Sequence, residues 1–426
     1  MIKRRPYQSY KDTQLQWIGI IPEHWTVGPF KNLVSIQNGA DYKDVEAEEG
    51  CPVIGSGGAF AFSSKAMYEG ETVLLGRKGT IDKPLYYKGA FWAVDTMYWS
   101  KIPPSVNGRF AYYNATTIPF AMYATRTALP SMTKSTLGAH LVAYPEKTEQ
   151  DQIARWLDRE TARIDTLIAK KTRFIELLKE KRQAVIAKAV TKGLDDSVEM
   201  KDSRVKWLGL VPNHWVVAQL SRVTQSRCDG PFGSGLKSHH YTSDGVRVVR
   251  LQNIGFAEFK NDNAAFVSYE HWEETLGRGH AVTPGDLLIA GLGDDNNPLG
   301  RACTAPEEIG DALVKADCYR FRLDPQKAFS KFFAFLLSAT SKAECGFMAT
   351  GATRDRLNLG LASSRVVAFP PSVEEQKAIV AYIESKVRQI NLLLSRTERS
   401  IEFLKEHRAA LITSAVTGKI DVREAA

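Results

Sequence analysis

Two stretches constrain this chain more than any other: Glu149 to Leu194, EQDQIARWLDRETARIDTLIAKKTRFIELLKEKRQAVIAKAVTKGL, and its copy from Glu375, EQKAIVAYIESKVRQINLLLSRTERSIEFLKEHRAALITSAVTGKI. They align without a gap at an offset of 226, pairing Gln150 with Gln376, Ile164 with Ile390, Leu178 with Leu404 and Ala189-Val190-Thr191 with Ala415-Val416-Thr417. Both keep a seven-residue apolar rhythm, the signature of coiled-coil helices. In the first copy Leu157, Ile164, Leu178 and Val185 hold one heptad position, and Ala154, Ile168, Ile175 and Ala189 the other. In the second, Ile383, Ile390, Leu394, Ile401, Leu404 and Leu411 carry the same stripe, with matching polar breaks at Lys171/Thr397 and Arg182/Arg408. At about 1.5 Å per residue each copy makes a rod of roughly 65 Å, which needs a partner along its length. The nearest one is the other copy.

A second repeat precedes each rod. Residues 11–27, KDTQLQWIGIIPEHWTV, return as residues 201–217, KDSRVKWLGLVPNHWVV, at an offset of 190. The difference from 226 places 36 additional residues between anchor and rod in the second half. Each half is therefore an anchor, a variable domain and a long helix. The predicted boundaries are 1–148 for the first anchor and variable domain and 149–194 for the first helix. Linker, second anchor and second domain follow over 195–373, and the second helix and tail over 374–426. His24 and His214 take the same place in both anchors; with tryptophan beside them and no ligand spacing around them, they read as packing and hydrogen-bonding residues.

The variable regions, about Gly28 to Tyr144 and Ala218 to Phe369, are dense in Gly, β-branched and aromatic residues. Runs such as Cys51-Pro-Val-Ile, Thr72-Val-Leu-Leu, Phe91-Trp-Ala-Val and Asp286-Leu-Leu-Ile-Ala290 predict strands, with turns at Gly55-Ser-Gly-Gly and Gly76-Arg-Lys-Gly. The fold class that follows is α+β: two mixed, β-rich domains joined by two long helices.

The formal net charge is +8 and the pI near 9.0, which favours a polyanionic partner. Within that balance several loops suit nucleic acid. Gly76-Arg77-Lys78-Gly79-Thr80 pairs flanking glycines with two cations, as a phosphate cradle does, although a basic hairpin turn has the same composition. Ser56 and Gly57 form a neighbouring turn, and Leu129 to Leu137 sets Thr133, Lys134 and Ser135 ahead of the first long helix. In the second half, Cys228-Asp-Gly-Pro-Phe-Gly-Ser-Gly-Leu-Lys237-Ser238 combines glycines with a terminal Lys and Ser. Arg354, Arg356 and Asn358 occupy the place of the Lys134 stretch and suit bidentate contacts to bases; Arg354 beside Asp355 equally suits a surface ion pair.

Catalytic signatures are not evident. Asp295-Asn-Asn-Pro-Leu299 lacks the second proline and the aromatic of a base methylase loop. Asp294-Asp295 is a tight acidic pair on a Gly loop, where a solvated turn is the plainer reading. The five cysteines show no CxxC spacing, and no signal peptide or membrane span is recognisable. A cytoplasmic binding protein is expected.

The duplicated Trp-x-Gly-x-x-Pro-x-His-Trp anchors, the Glu149-Gln150 and Glu375-Gln376 openings of the helices and their Ala-Val-Thr endings resemble the specificity subunit of type I restriction-modification systems. Loop patterns such as Asp229-Gly-Pro-Phe-Gly-Ser and Leu129-Pro-Ser-Met-Thr-Lys-Ser add to the likeness. The resemblance implies two target-recognition domains, each reading one half of an asymmetric, bipartite site in double-stranded DNA, on an antiparallel intramolecular coiled coil with a pseudo-two-fold repeat. It also implies docking of two modification (methyltransferase) subunits and of restriction (translocase/nuclease) subunits. Adenine methylation and DNA cleavage, with S-adenosylmethionine, ATP and Mg2+, would belong to those partners, and this chain would bind no cofactor. The alternative from the residues alone is a protein-interaction scaffold of two variable domains on a coiled coil.

Overall fold

The computed structural model describes residues 6–124, 130–232, 235–294, 296–348 and 356–423. The two repeats are helices of 46 and 44 residues, Lys147–Lys192 and Val373–Val416. Each ends at a glycine in the left-handed region, Gly193 at φ 76° and Gly418 at φ 68°, which tolerate the conformation for want of a Cβ. At Gly418 a Cβ would also meet Pro22 Cδ at 2.3 Å, so this glycine is demanded by space as well.

The contacts divide the chain into two compact units, which cut across the sequence repeat: one holds residues 1–173 and 397–426, the other 174–396. Each unit thus holds one anchor, one variable domain and a stretch of both long helices. Within the first unit Arg408 donates from Nε and Nη2 to both oxygens of Asp165, at 2.9 and 3.2 Å. Within the second, Arg182 Nη1 donates to Asn391 Oδ1 at 3.1 Å, and Leu178 packs with Ile390, Leu394 and Ile175. From Asp165 to Arg182 the number rises by seventeen, and from Arg408 to Asn391 it falls by seventeen. The helices pair antiparallel with one register in both units, and both arginines that interrupt the apolar stripe hydrogen-bond across it.

The stripe itself follows the heptads through its middle, with Ile164, Leu178, Ile390, Leu394 and Ile401 buried and Ile168, Ile175 and Leu404 half-buried. Toward the helix ends it merges into the domain cores. Leu157 packs with Trp25, Phe110, Ile412 and Ala415, and Leu411 lies partly buried against the same core; Ile383 packs with Trp215, Phe332 and Phe333. One heptad position is corrected: Val185 is only half-buried, and Ile186 takes the buried place. A straight helix drifts about 20° per heptad against a strict seven-residue repeat, and here the core of the second unit, not a facing helix, selects the buried side.

In the first unit the variable domain is one seven-stranded sheet, in the spatial order Ser35–Asn38, Met97–Lys101, Tyr68–Gly76, Leu85–Ala93, Cys51–Gly55, Gly58–Ser63, Glu46–Ala47. The second unit has two sheets. A four-stranded one runs Thr224–Cys228, Cys318–Leu323, Leu287–Ala290, Ala302–Thr304, and a five-stranded one runs Tyr241–Thr242, Phe266–Val267, Val246–Val249, Ala312–Val314, Ala281–Val282. In each unit a short strand after the anchor pairs antiparallel with the strand leading into the long helix: Thr26–Pro29 with Leu141–Tyr144, and Val216–Gln219 with Val366–Phe369. No described helix is long and apolar enough to cross a membrane.

Candidate nucleic-acid interface

The Glu-Gln pair that opens each long helix fixes the anchor and domain around it. Glu149 accepts from Tyr7 Oη at 2.7 Å and Trp25 Nε1 at 3.1 Å, and pairs with His24 Nε2 at 2.8 Å. Glu375 accepts from Trp215 Nε1 at 3.1 Å and pairs with His214 Nε2, also at 3.1 Å. Both histidines are hydrogen-bonding residues of the anchor. Gln150 Oε1 accepts the backbone N–H of Asn107 at 3.0 Å and its Nε2 donates to Pro145 O at 2.9 Å; Gln376 does the same with Phe329 N–H at 2.7 Å and Pro370 O at 2.9 Å. The motif repeats because each domain needs buried acceptors and donors met at the same joint.

The joint orients a shared sheet end, where the candidate loops lie. In the first unit Arg77 N–H donates to Thr96 O at 2.8 Å, Met132 N–H donates to Arg77 O at 3.1 Å, and Tyr98 Oη donates to Met132 O at 3.0 Å. The second unit repeats all three: Gly291 N–H to Asp317 O at 2.8 Å, Leu357 N–H to Gly291 O at 2.9 Å, and Tyr319 Oη to Leu357 O. An isolated antiparallel bridge ties each pair of loops, Lys78 with Ser131 and Leu292 with Arg356. Tyr98 and Tyr319 are 221 residues apart, so 31 of the 36 additional residues precede Tyr319, in the stretch that builds the five-stranded sheet.

The first unit brings its predicted residues together. Arg77 lies over the Tyr98 ring at 5.9 Å and donates from Nη1 to Asp95 O at 3.3 Å. Asp95 and Thr96 line a cavity of about 490 Å³ with Ser56, Gly57, Tyr42 and the exposed Phe60. Lys78 and Thr80 are exposed on the same loop. Lys134 is not in a loop: it opens a short helix, Lys134–Ala139, whose N-cap is Thr133, the Thr133 hydroxyl also bonding Ser135 at 2.9 Å. The hydroxyl that precedes Lys134 thus caps a helix.

In the second unit Asn358 is the corresponding N-cap, accepting from Leu361 N–H at 2.8 Å. Arg356 is exposed beside it and bonds Asp317, while its guanidinium lies 5.8 Å from the centroid of Phe232 in the Asp229-Gly-Pro-Phe loop. Arg354 lies outside the described residues, as does Asp295. Lys237 and Ser238 sit on a separate turn, Ser238–His240, where Lys237 N–H donates to His240 Nδ1 at 3.1 Å and the His240 ring lies tilted 4.1 Å from that of His271. Their described contacts do not reach Arg356.

Sequence reasoning missed Tyr98, Tyr319, Asp317 and the role of Asp229. Asp229 Oδ1 accepts Gly230 N–H at 2.7 Å and Asp317 N–H at 3.0 Å, while burial pushes its carboxyl up to about 6. The one available signal was Asp-Gly-Pro-Phe, whose Gly230 packs so closely that a Cβ would stand 2.1 Å from Lys315 C. Among the described residues no group of His, Cys, Asp and Glu could hold a metal ion.

A duplicated anchor-and-helix frame that presents cation-bearing loops at the same sheet end of two different domains defines a two-module protein. Comparison with known proteins adds a likeness: residues 22–177 match the type I restriction modification DNA specificity domain. The chain is similar to the MjaVIII specificity subunit of Methanocaldococcus jannaschii, 22% identical over 309 residues, 70% of this chain and 66% of that one. It is also similar to the EcoBI specificity subunit of Escherichia coli, 25% identical over 308 residues, 68% of this chain and 62% of that one. The chain therefore spans slightly under two thirds of the length of these relatives. A structure solved in work on complex assembly and conformational transition of the type I restriction-modification system shares the fold at a TM-score of 0.68 and 13% identity, covering 93% of this chain and 98% of that one. The HsdS subunit of Thermoanaerobacter tengcongensis does so at 0.54 and 12%, covering 96% and 100%. By sequence and by fold the chain is similar to type I specificity subunits.

Proposed function

We propose that this chain is the sequence-specific DNA-binding subunit of a type I restriction-modification complex, each variable domain reading one half of an asymmetric, bipartite site. The observation that carries the proposal is the repeated sheet end, with the same three hydrogen bonds and the same bridge but different side chains displayed from it. A constant frame with variable contacts is what reading two different half-sites requires. Modification subunits dock on the long helices and restriction subunits join that assembly. Methyl transfer to adenine and ATP-dependent cleavage then take place on those partners with S-adenosylmethionine, ATP and Mg2+, and this chain is not itself catalytic. The cytoplasm is where such a complex meets DNA.

In this reading Arg77, Lys78 and Lys134, with Ser56, Gly57, Thr80, Thr133 and Ser135, serve the first half-site. Lys237, Ser238, Arg356 and Asn358 serve the second, together with Arg354. The test is to exchange residues 28–144 for the matching domain of another specificity subunit and to sequence methylated adenines in cells carrying the complete system. One half of the methylated site should change while the other half and the number of unspecified base pairs stay. Methylation that alters in both halves, or no site-specific methylation in the parent system, would refute the assignment.

A further inference from the structure

Arg77 and Arg356 come from opposite strands of the equivalent bridges, and they are held differently. Arg77 has a backbone carbonyl and an aromatic ring. Arg356 is gripped by a carboxylate: its Nε donates to Asp317 Oδ1 at 3.0 Å and its Nη2 lies 2.9 Å from the same oxygen. Asp317 is itself fixed, with φ of 63°, its N–H on Asp229 Oδ1 and its carbonyl accepting Gly291 N–H. The grip uses the Nε–Nη2 side of the guanidinium and leaves the Nη1–Nη2 fork, on a side chain 49% exposed. Phe232, 54% exposed, lies near the guanidinium, 5.8 Å from ring centroid to Cζ.

An end-on guanidinium fork with its torsions fixed matches the paired acceptors of guanine, O6 and N7, and meets a donor where adenine carries its N6 amino group. A phosphate contact would need no such grip, since charge alone supplies it. We propose that Arg356 reads a guanine in the half-site of the second unit, that Asp317 is the positioning residue which sets its plane, and that Phe232 covers the apolar edge of the neighbouring base. This rests on the DNA-reading function proposed above and adds a base identity to it. Arg77, which has no carboxylate partner among the described residues, is left to the backbone or to a less selective contact.

The experiment uses the full chain in complex with its modification subunit, on duplexes carrying the mapped methylation site. Each guanine of the second half-site is replaced in turn by 7-deazaguanine and by adenine, and binding is measured for the parent, R356A, R356K and D317N. The parent should lose about 5- to 150-fold at one guanine. R356A should lose as much on the intact site and then be indifferent to replacement of that guanine. R356K, which keeps the charge without the fork, should lose the same discrimination with an unaltered salt slope. D317N should lose part of it while retaining non-specific affinity, which a general defect of folding would not do. The proposal is overturned if R356A responds to every replacement as the parent does, if it weakens all duplexes alike and flattens the salt slope, or if the second half-site contains no guanine. A parent complex that shows no preference among duplexes would instead refute the DNA-reading function itself.

Discussion

The two units are built on one frame and differ in what they hang from it. Tyr98 and Tyr319, the Lys78–Ser131 and Leu292–Arg356 bridges, and the Glu-Gln latches are the same device twice. On that device the first unit sets a cation on each of two adjacent loop positions, Arg77 and Lys78, where the second has Gly291 and Leu292; the second supplies Arg356 where the first has Ser131. The difference teaches that position at the sheet end is constrained by the backbone, whereas the strand that delivers the cation is free to change. The displayed side chains can diverge without disturbing the joint.

The largest expected effect tests the frame both units share. Changing Ile164 and Leu178 together to Glu buries charge in the helix pair of each unit, at a cost of several kcal/mol per site. Co-purification with the modification subunit and the thermal transition should both be lost. Leu167→Glu, at an exposed position of the same helix, should leave the thermal transition in place. Normal assembly of the double variant would separate the apolar stripe from complex formation.

The latches offer a sharper contrast. Glu149 has three side-chain partners and is 10% exposed at its side chain, whereas Glu375 has two and is 35% exposed. Glu149→Ala leaves buried Trp25 and Tyr7 donors unmet and should cost about 3 kcal/mol, Glu375→Ala about 1 kcal/mol. Urea unfolding and hydrogen exchange at the Trp25 and Trp215 amides would measure both. Glu149→Gln, which keeps an acceptor, should recover most of the loss; equal costs at the two sites would break the comparison.

A smaller effect concerns the bridge. Lys78 and Leu292 hold matching places, so Lys78→Ala should weaken binding to all sequences alike and flatten the salt dependence by about one unit of slope, while Leu292→Ala should leave the slope unchanged. Titration of non-specific duplex at several salt concentrations decides it.

How far the sequence reached is explained by the range of each interaction. The helices, their pairing and the anchors were legible because a periodic stripe and a gapless duplication are local or repeated signals. Val185 against Ile186 failed for a physical reason: the heptad assumes a helix as partner, and there the partner is the domain core. The cations of the proposed site, Lys78, Lys134 and Arg356 among them, were legible as composition. What holds them was not. Asp317 meets Arg356 from 39 residues away, on a turn whose positive φ no aspartate announces, and Tyr319 reaches Leu357 across 38. Contacts of that range belong to the topology of the four-stranded sheet, which the strand patterns did not fix.

The smallest expected effect is on pH dependence, and it arises in one unit only. Where the first unit has Asn38 before Gly39, the second has Asp229 before Gly230, its carboxyl raised by burial from 3.8 to about 6. Because the folded value lies above the unfolded one, the fold favours the protonated acid. Its stabilising contribution is full below about pH 4, declines as pH rises through 6, and is absent at neutral pH. Asparagine at this position can keep the two backbone bonds through Oδ1 while removing the ionisation. Asp229→Asn should therefore raise the thermal midpoint of the second unit slightly at pH 7.5, with the gain shrinking toward pH 4.5, and should bring its pH profile closer to that of the first unit. Asp317 N–H retains its acceptor, so the grip on Arg356 and the selectivity of binding should persist. Midpoints of parent and variant measured at both pH values check the sign: a gain that grows on acidification would mean that the Asp229 carboxylate is stabilised by its two backbone donors more than burial penalises it.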